Sequence, residues 1–120
     1  IMPAYGFGSE QKFAFVTTIV AGTADYTLVA APGAGRRLVV QGLTVVIMTA
    51  NAATFTIEDS ASSGAQAYFT ATGTLVVGTY GVDMGVLGVA TSAANLALEW
   101  DASAAGVVGM VSGFGYIRED

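Results

Sequence analysis

The chain has no cysteine and no histidine, only two prolines, and only four lysines and arginines among 120 residues. Each shortage removes a class of function. Without cysteine there are no disulfides and no thiolate metal sites. Without histidine there is no imidazole general base, so Ser-His and Cys-His nucleophiles within one chain are excluded. No metal or cofactor is expected. The cations Lys12, Arg36, Arg37 and Arg118 stand against nine carboxylates, a net charge of -5, so the basic footprint that holds nucleic acid is missing. Thr, Gly, Asn or a charge interrupts every apolar stretch before it reaches the roughly 18 consecutive residues of a spanning helix. No membrane partner is expected. The opening "IMPAYGFGSEQK" has neither a basic n-region nor a continuous apolar h-region, so no secretory signal is expected and a small outer-membrane barrel would lack its export signal.

Apolar residues are plentiful: 53% of the chain is hydrophobic against 11% charged, with mean hydropathy +0.64. Such a chain is too apolar to be disordered and unusually apolar for a lone soluble monomer, so part of its surface is expected to meet other protein. Its length suits one domain with a real core. The stretch "APGAGRRLVVQGLTVVIMTA" is apolar on both alternating faces, with Val39, Leu43, Val45 and Ile47 on one and Leu38, Val40, Val46 and Met48 on the other. Both faces of that strand need a cover, and Gly42 is a plausible bulge or bend within it.

Other segments read as strands too. "KFAFVTTIV" places Phe13, Phe15, Thr17 and Ile19 on one face, and "AGTAD" is expected to turn it into a hairpin with "YTLVAA". "TFTIED", "QAYFTA" and "TLVVGTY" follow, then a weakly patterned region rich in glycine from Gly81 to Ala94. "NLALEWD" alternates cleanly, with Leu96, Leu98 and Trp100 inward and Ala97, Glu99 and Asp101 outward. "GVVGMVSGFGYI" puts Val108, Met110, Phe114 and Tyr116 on one face. Gly109, Gly113 and Gly115 on the other leave bare backbone that a strand or an aromatic ring can approach. No helical period and no internal repeat appears. These features predict an all-β fold, an antiparallel β-sandwich or jelly roll of about eight strands at residues 13–120, behind an extended N-terminal arm at residues 1–12.

Candidate sites are few. "GAGRR" lacks the Gly-Lys-Ser/Thr and the following helix of a phosphate loop. Arg36 and Arg37 read either as a charged strand end that blunts aggregation or as an ion-pair contact to an acidic neighbouring subunit. Two carboxylate pairs, Glu99 with Asp101 and Glu58 with Asp59, could in principle serve hydrolysis or Ca²⁺ binding, against the simpler reading of solvated strand ends. Trp100 is a sugar platform if exposed and a core residue if its alternation holds. Tyr5 and Phe7 on the arm read as docking on the chain's own sheet edge or as insertion into a neighbouring subunit.

The succession from "ADYTLVAAPGAGRRLVV" through "TFTIEDSASSGAQAYFTA" to "NLALEWDASAAGVVGMVSGFGYI" resembles the small all-β decoration, or cement, proteins of tailed bacteriophages. What the resemblance implies is a jelly-roll virion protein on the outer capsid surface. It would be made in the host cytoplasm, commonly trimeric, bound to the major capsid protein and without enzymatic activity. Its expected subunit or capsid contacts are Tyr5, Phe7, Arg36, Arg37, Gly109, Gly113 and Gly115. The alternative is a trimeric receptor- or carbohydrate-binding tip domain of a phage fibre, which would expose Trp100 or a tyrosine beside carboxylates. A hydrolase built on Glu99 and Asp101 is a further rival, to be tested by Glu99→Gln.

Overall fold

A computed structural model describes residues 11–20, 26–49, 55–71, 76–102 and 108–120. The elements are β1 (Gln11–Val20), β2 (Tyr26–Val29), β3 (Arg36–Thr49), β4 (Phe55–Asp59), β5 (Ala67–Ala71), β6 (Gly78–Asp83), β7 (Val89–Ala90), β8 (Leu98–Ala102) and β9 (Val108–Glu119). They form two antiparallel sheets: one in the order β1-β9-β3-β6, with the short β7 also paired to β3, and one in the order β2-β8-β4-β5. The fold is an all-β sandwich. Tyr5 and Phe7 lie outside the described residues. Gln11 and Lys12, counted with the arm from sequence, are strand residues that pair with Ile117 and Tyr116.

The expected β1–β2 hairpin does not form. β1 pairs with β9 and β2 with β8, so the chain crosses from one sheet to the other between them. Alternation gives each strand an apolar face but does not say whether two successive faces lie side by side or opposite one another. In a sandwich they can be opposite. The β4–β5 hairpin is present, with Ile57 opposite Phe69. β6 begins later than "TLVVGTY" suggests and runs on to Asp83, because its partner residues on β3 are Gly42 to Ile47.

The two-faced strand β3 is resolved by one irregularity. Its register against β9 shifts between Val40 and Gly42, so the side-chain parity changes there. Leu38 and Val40 before the shift, and Leu43, Val45 and Ile47 after it, all join the central apolar cluster. Val39, expected with Leu43, points the other way, and it is buried there beside Gly88. From the facing sheet come Leu28, Ile57, Tyr68, Leu98 and Trp100, and Ile19 and Val111 complete the core. Full burial of each large aliphatic side chain contributes about 1.5–3 kcal/mol, so this cluster is the main source of stability.

Inside the first sheet, β9 is starved of side chains. Gly109, Val111, Gly113, Gly115 and Ile117 face inward in register with Ile47, Val45, Leu43, Val40 and Leu38. The rings of Phe15 and Phe13, directly across from Gly113 and Gly115 on β1, fill the space. A Cβ added at Gly113 would lie 2.8 Å from the Phe15 ring and 2.7 Å from Leu43. At Gly115 it would lie 2.8 Å from the Phe13 ring and would also collide with the Val39 carbonyl.

Candidate interaction surface

One end of the sandwich gathers the charges. Arg36 and Glu119 are opposite one another on β3 and β9, and Arg36 Nε donates to Glu119 Oε2 at 2.9 Å. Arg37 Nε donates to both carboxylate oxygens of Asp120 at 2.8 Å, and its guanidinium donates again to the Thr91 carbonyl at 2.9 Å. Arg118 also lies within 3.6 Å of Asp120. The Arg37 hydrogen bond, with help from the charges of Arg37 and Arg118, holds the Asp120 carboxyl below its ordinary range. The backbone joins in: Asp120 N–H donates to the Gly35 carbonyl and Asn95 N–H to the Arg36 carbonyl, both at 2.7 Å. Arg36 and Arg37, expected to contact a neighbouring subunit, therefore have acidic partners in their own chain. Sequence could not place those partners, which are 83 residues away.

The carboxylate pairs also come apart. Glu58 and Asp59 are successive strand residues and so point to opposite faces. Asp59 is 1% exposed. It accepts N–H bonds from Ser92 at 2.7 Å, Ala61 at 3.1 Å and Gln66 at 3.2 Å, tying the β4–β5 loop to the segment before β8. Burial alone would raise its pKa, but these donors outweigh that and hold the carboxyl below the usual carboxylate range. Nearby Tyr68, whose hydroxyl donates to the Val89 carbonyl at 3.3 Å, is pushed well above the usual tyrosine value by burial and by the Asp59 charge. Asp59 is thus a structural latch and not a solvated strand end. Its only sequence signal is an acid closing an apolar strand just before a Ser/Gly loop.

Glu99 and Asp101 do face outward, and Glu99 lies across from Glu58 on β4. Among the described residues, no group of three His, Cys, Asp or Glu side chains could hold a metal ion. Trp100 is 1% exposed and packed in the core, so it offers no platform to a sugar. Gly109, Gly113 and Gly115, expected at a contact with another chain, face inward, and the rings that approach Gly113 and Gly115 are the chain's own Phe15 and Phe13.

Among the described residues, the exposed apolar surface is on the other side of the same sheet. Two register rows define it: Ala14, Phe114, Gly42 and Asp83, and beside them Val16, Ser112, Thr44 and Gly81. The Phe114 ring lies over Gly42, where an added Cβ would be 2.6 Å from it. Phe114 nevertheless remains 53% exposed and Val16 69% exposed. Small residues around these two knobs leave a hollow of about 670 Å³ floored by Gly42, Thr44, Gly81 and Ser112. A second hollow of about 770 Å³ shares Ala14, Gln41 and Phe114 with the first and runs to Lys12 and to Val86 and Leu87.

Val86 and Leu87 cap this surface from the β6–β7 turn, 86% and 83% exposed. The turn is tied down. Gly85 and Gly88 adopt the left-handed backbone that favours glycine, Gly85 N–H donates to Asp83 Oδ1 at 2.8 Å, and Gly88 N–H donates to the Gly85 carbonyl at 3.2 Å. The carbonyls of both exposed residues are held from the sheet. Gln41 Nε2 donates to Val86 O at 2.6 Å and Tyr116 Oη–H to Leu87 O at 3.0 Å. Two bare aliphatic side chains on an anchored backbone are preorganised for contact, because little further ordering remains to be done on binding. The one sequence signal of this turn is "GVLG", an apolar doublet between glycines in a weakly patterned region.

No known protein family matches this chain, and no curated protein matches it in sequence.

Proposed function

We propose that the chain is a capsid decoration protein of a tailed bacteriophage, a jelly roll that binds the outside of the icosahedral head as a trimer and clamps neighbouring capsomers. The strand order supports the jelly-roll reading. Four strands in the order β1-β9-β3-β6 face four in the order β2-β8-β4-β5, as in the two Greek keys of that fold. The observation that carries the functional reading is the open apolar sheet face bearing Val16, Phe114, Val86 and Leu87. A contiguous exposed apolar surface of this kind marks a protein contact.

The contact residues differ from those expected. Arg36, Arg37 and the three glycines are used within the chain, and their place passes to Val16, Phe114, Val86 and Leu87. Tyr5 and Phe7 keep their assigned role on the arm. A trimer presents each patch three times to a symmetric lattice, so after the first contact the others form at high effective concentration and weak contacts add to firm attachment. The fibre-tip alternative asks for Trp100 or a tyrosine exposed beside carboxylates, and Trp100 lies in the core.

The test is the light-scattering mass of the purified protein together with its co-sedimentation with capsids stripped of it. A trimer that rebinds the shells supports the proposal. A stable monomer that stays in the supernatant overturns it.

A further inference from the structure

We infer that the chain assembles head to tail through the two edges of its first sheet, β6 of one copy pairing antiparallel with β1 of the next. The inference rests on the self-association in the reading above and concerns the rims of the sheet, not its open face. Among the described residues, β1 and β6 have no neighbour on their outer sides. The edges of the second sheet are guarded. β2 and β5 have only four and five residues, and each is broken by a register shift against its neighbour. β1 has neither safeguard. Its ten described residues pair with β9 without a shift, contain no proline and carry one charge, Lys12. A long, regular row of N–H and C=O groups of this kind is a template for another strand.

Both edges also leave inward apolar groups incompletely covered. Phe13 and Phe15 on β1, and Tyr80 and Val82 on β6, are half-buried, whereas Leu43 and Val45 on β3 between them are buried. A strand added at either edge would extend the cover over these side chains. The β6–β7 turn leaves room for it, because the bonds from Gln41 and Tyr116 draw Val86 and Leu87 back across β3 toward β9.

The occupant is a second copy because the two edges fit each other. The four strands alternate in direction, so β1 and β6 run opposite ways, and a copy set edge to edge brings its β1 antiparallel to β6. Extending the rows of the sheet fixes the register: Thr79, Val46, Met110 and Thr18 share one row, which continues from Thr79 to Thr18 of the next copy. That is a favourable cross-strand pair. In the same register Gly81 and Gly78, where an added Cβ would meet nothing within 4 Å, lie beside Val16 and Ile19 of the next copy, and Val82 lies beside its Phe15. Asp83, the only charge on β6, comes diagonal to Lys12, the only charge on β1. Two β1 strands joined about a two-fold axis would leave β6 uncovered and stop at a dimer. The head-to-tail contact uses both edges of every copy and can close at three.

The absence of native cysteine makes the test clean. Within one copy Thr18 and Thr79 stand at opposite edges of the sheet, three strand spacings or roughly 14 Å apart, which no disulfide spans. The full chain carrying Thr18→Cys and Thr79→Cys, mildly oxidised, should give disulfide-linked bands of two and three chains on a non-reducing gel, and neither single variant should. Crosslinking of Thr18→Cys by itself would mean that β1 pairs with β1, and thiols left free would mean that the edges do not meet. Either result overturns the proposal. As a second readout, hydrogen exchange of the wild-type protein should show consecutive protected amides along both β1 and β6, since every N–H then has an acceptor. An edge open to water leaves every second amide to exchange rapidly, and that alternating pattern on β6 counts against the proposal. A protein that is trimeric by light scattering yet shows neither crosslink nor edge protection overturns this inference alone and leaves the capsid reading to co-sedimentation.

Discussion

The charged end of the sandwich and the open face of its first sheet use their residues in opposite ways. At the charged end, Arg36, Arg37, Asp59 and Asp120 look like binding groups, yet each is engaged by partners from the same chain. On the open face, Phe114, Val16, Val86 and Leu87 look like core residues, yet each is exposed. The comparison teaches that in a chain so poor in charge, the few ionic groups serve to close the fold. The side chains left over at the surface are apolar ones, of which there is a surplus. Net burial, not residue type, tells the two uses apart.

The sharpest way to break this comparison is at Asp59. Asp59→Ala leaves three partly buried N–H groups without their acceptor and should cost about 1–3 kcal/mol or more in urea unfolding. Acid should weaken the native protein by the same route. The folded carboxyl titrates below its unfolded value, so its contribution is present above the ordinary carboxylate range and fades as pH falls through the folded pKa. Asp59→Asn should flatten that acid limb in a series of melts taken against pH.

The next largest effect separates the two faces of one sheet. Gly115→Ala, on the inner face, drives a methyl group against Phe13 and the Val39 carbonyl and should destabilise by about 1–3 kcal/mol. Gly81→Ala, on the outer face, meets nothing within 4 Å and should change stability by less than about 0.5 kcal/mol. If both substitutions cost the same, the assignment of inner and outer faces fails. Arg37→Met should have a smaller effect than Gly115→Ala, and the gap between wild type and variant should narrow in about 1 M salt, where exposed ion pairs are screened. Smallest of all, Leu87→Ser should leave the unfolding free energy of the single chain within about 0.5 kcal/mol of wild type.

Much of the fold was legible in the sequence because alternation reports burial directly. Leu98 and Trp100 are buried as their spacing predicts, and the bend foreseen at Gly42 is the register shift of β3. The inward set of β1, from Phe13 to Ile19, was also correct. What alternation does not encode is which strand lies beside which. The β1–β2 hairpin was the natural reading of two apolar strands joined by a short turn, and only the crossing between sheets excludes it. The partners of Arg36 and Arg37 were hidden for the same reason, since nothing local announces that Glu119 and Asp120 arrive beside them. Asp59 was misread because its acceptor role depends on Ser92, 33 residues away on a separate loop. The exposed Val86 and Leu87 were missed because a short apolar doublet has no period to reveal its direction.

The position of β9 has a consequence for the order in which the chain can assemble. Of the described strands it is the last in chain order, yet it lies between β1 and β3, and Gln11 finds its partner in Ile117. Until those residues emerge, β1 and β3 have no common neighbour, and the rings of Phe13 and Phe15 have no glycines to cover. The early strands therefore wait with unpaired edges, the condition in which chains stick to one another. Contacts this distant in sequence also make folding slow once synthesis ends.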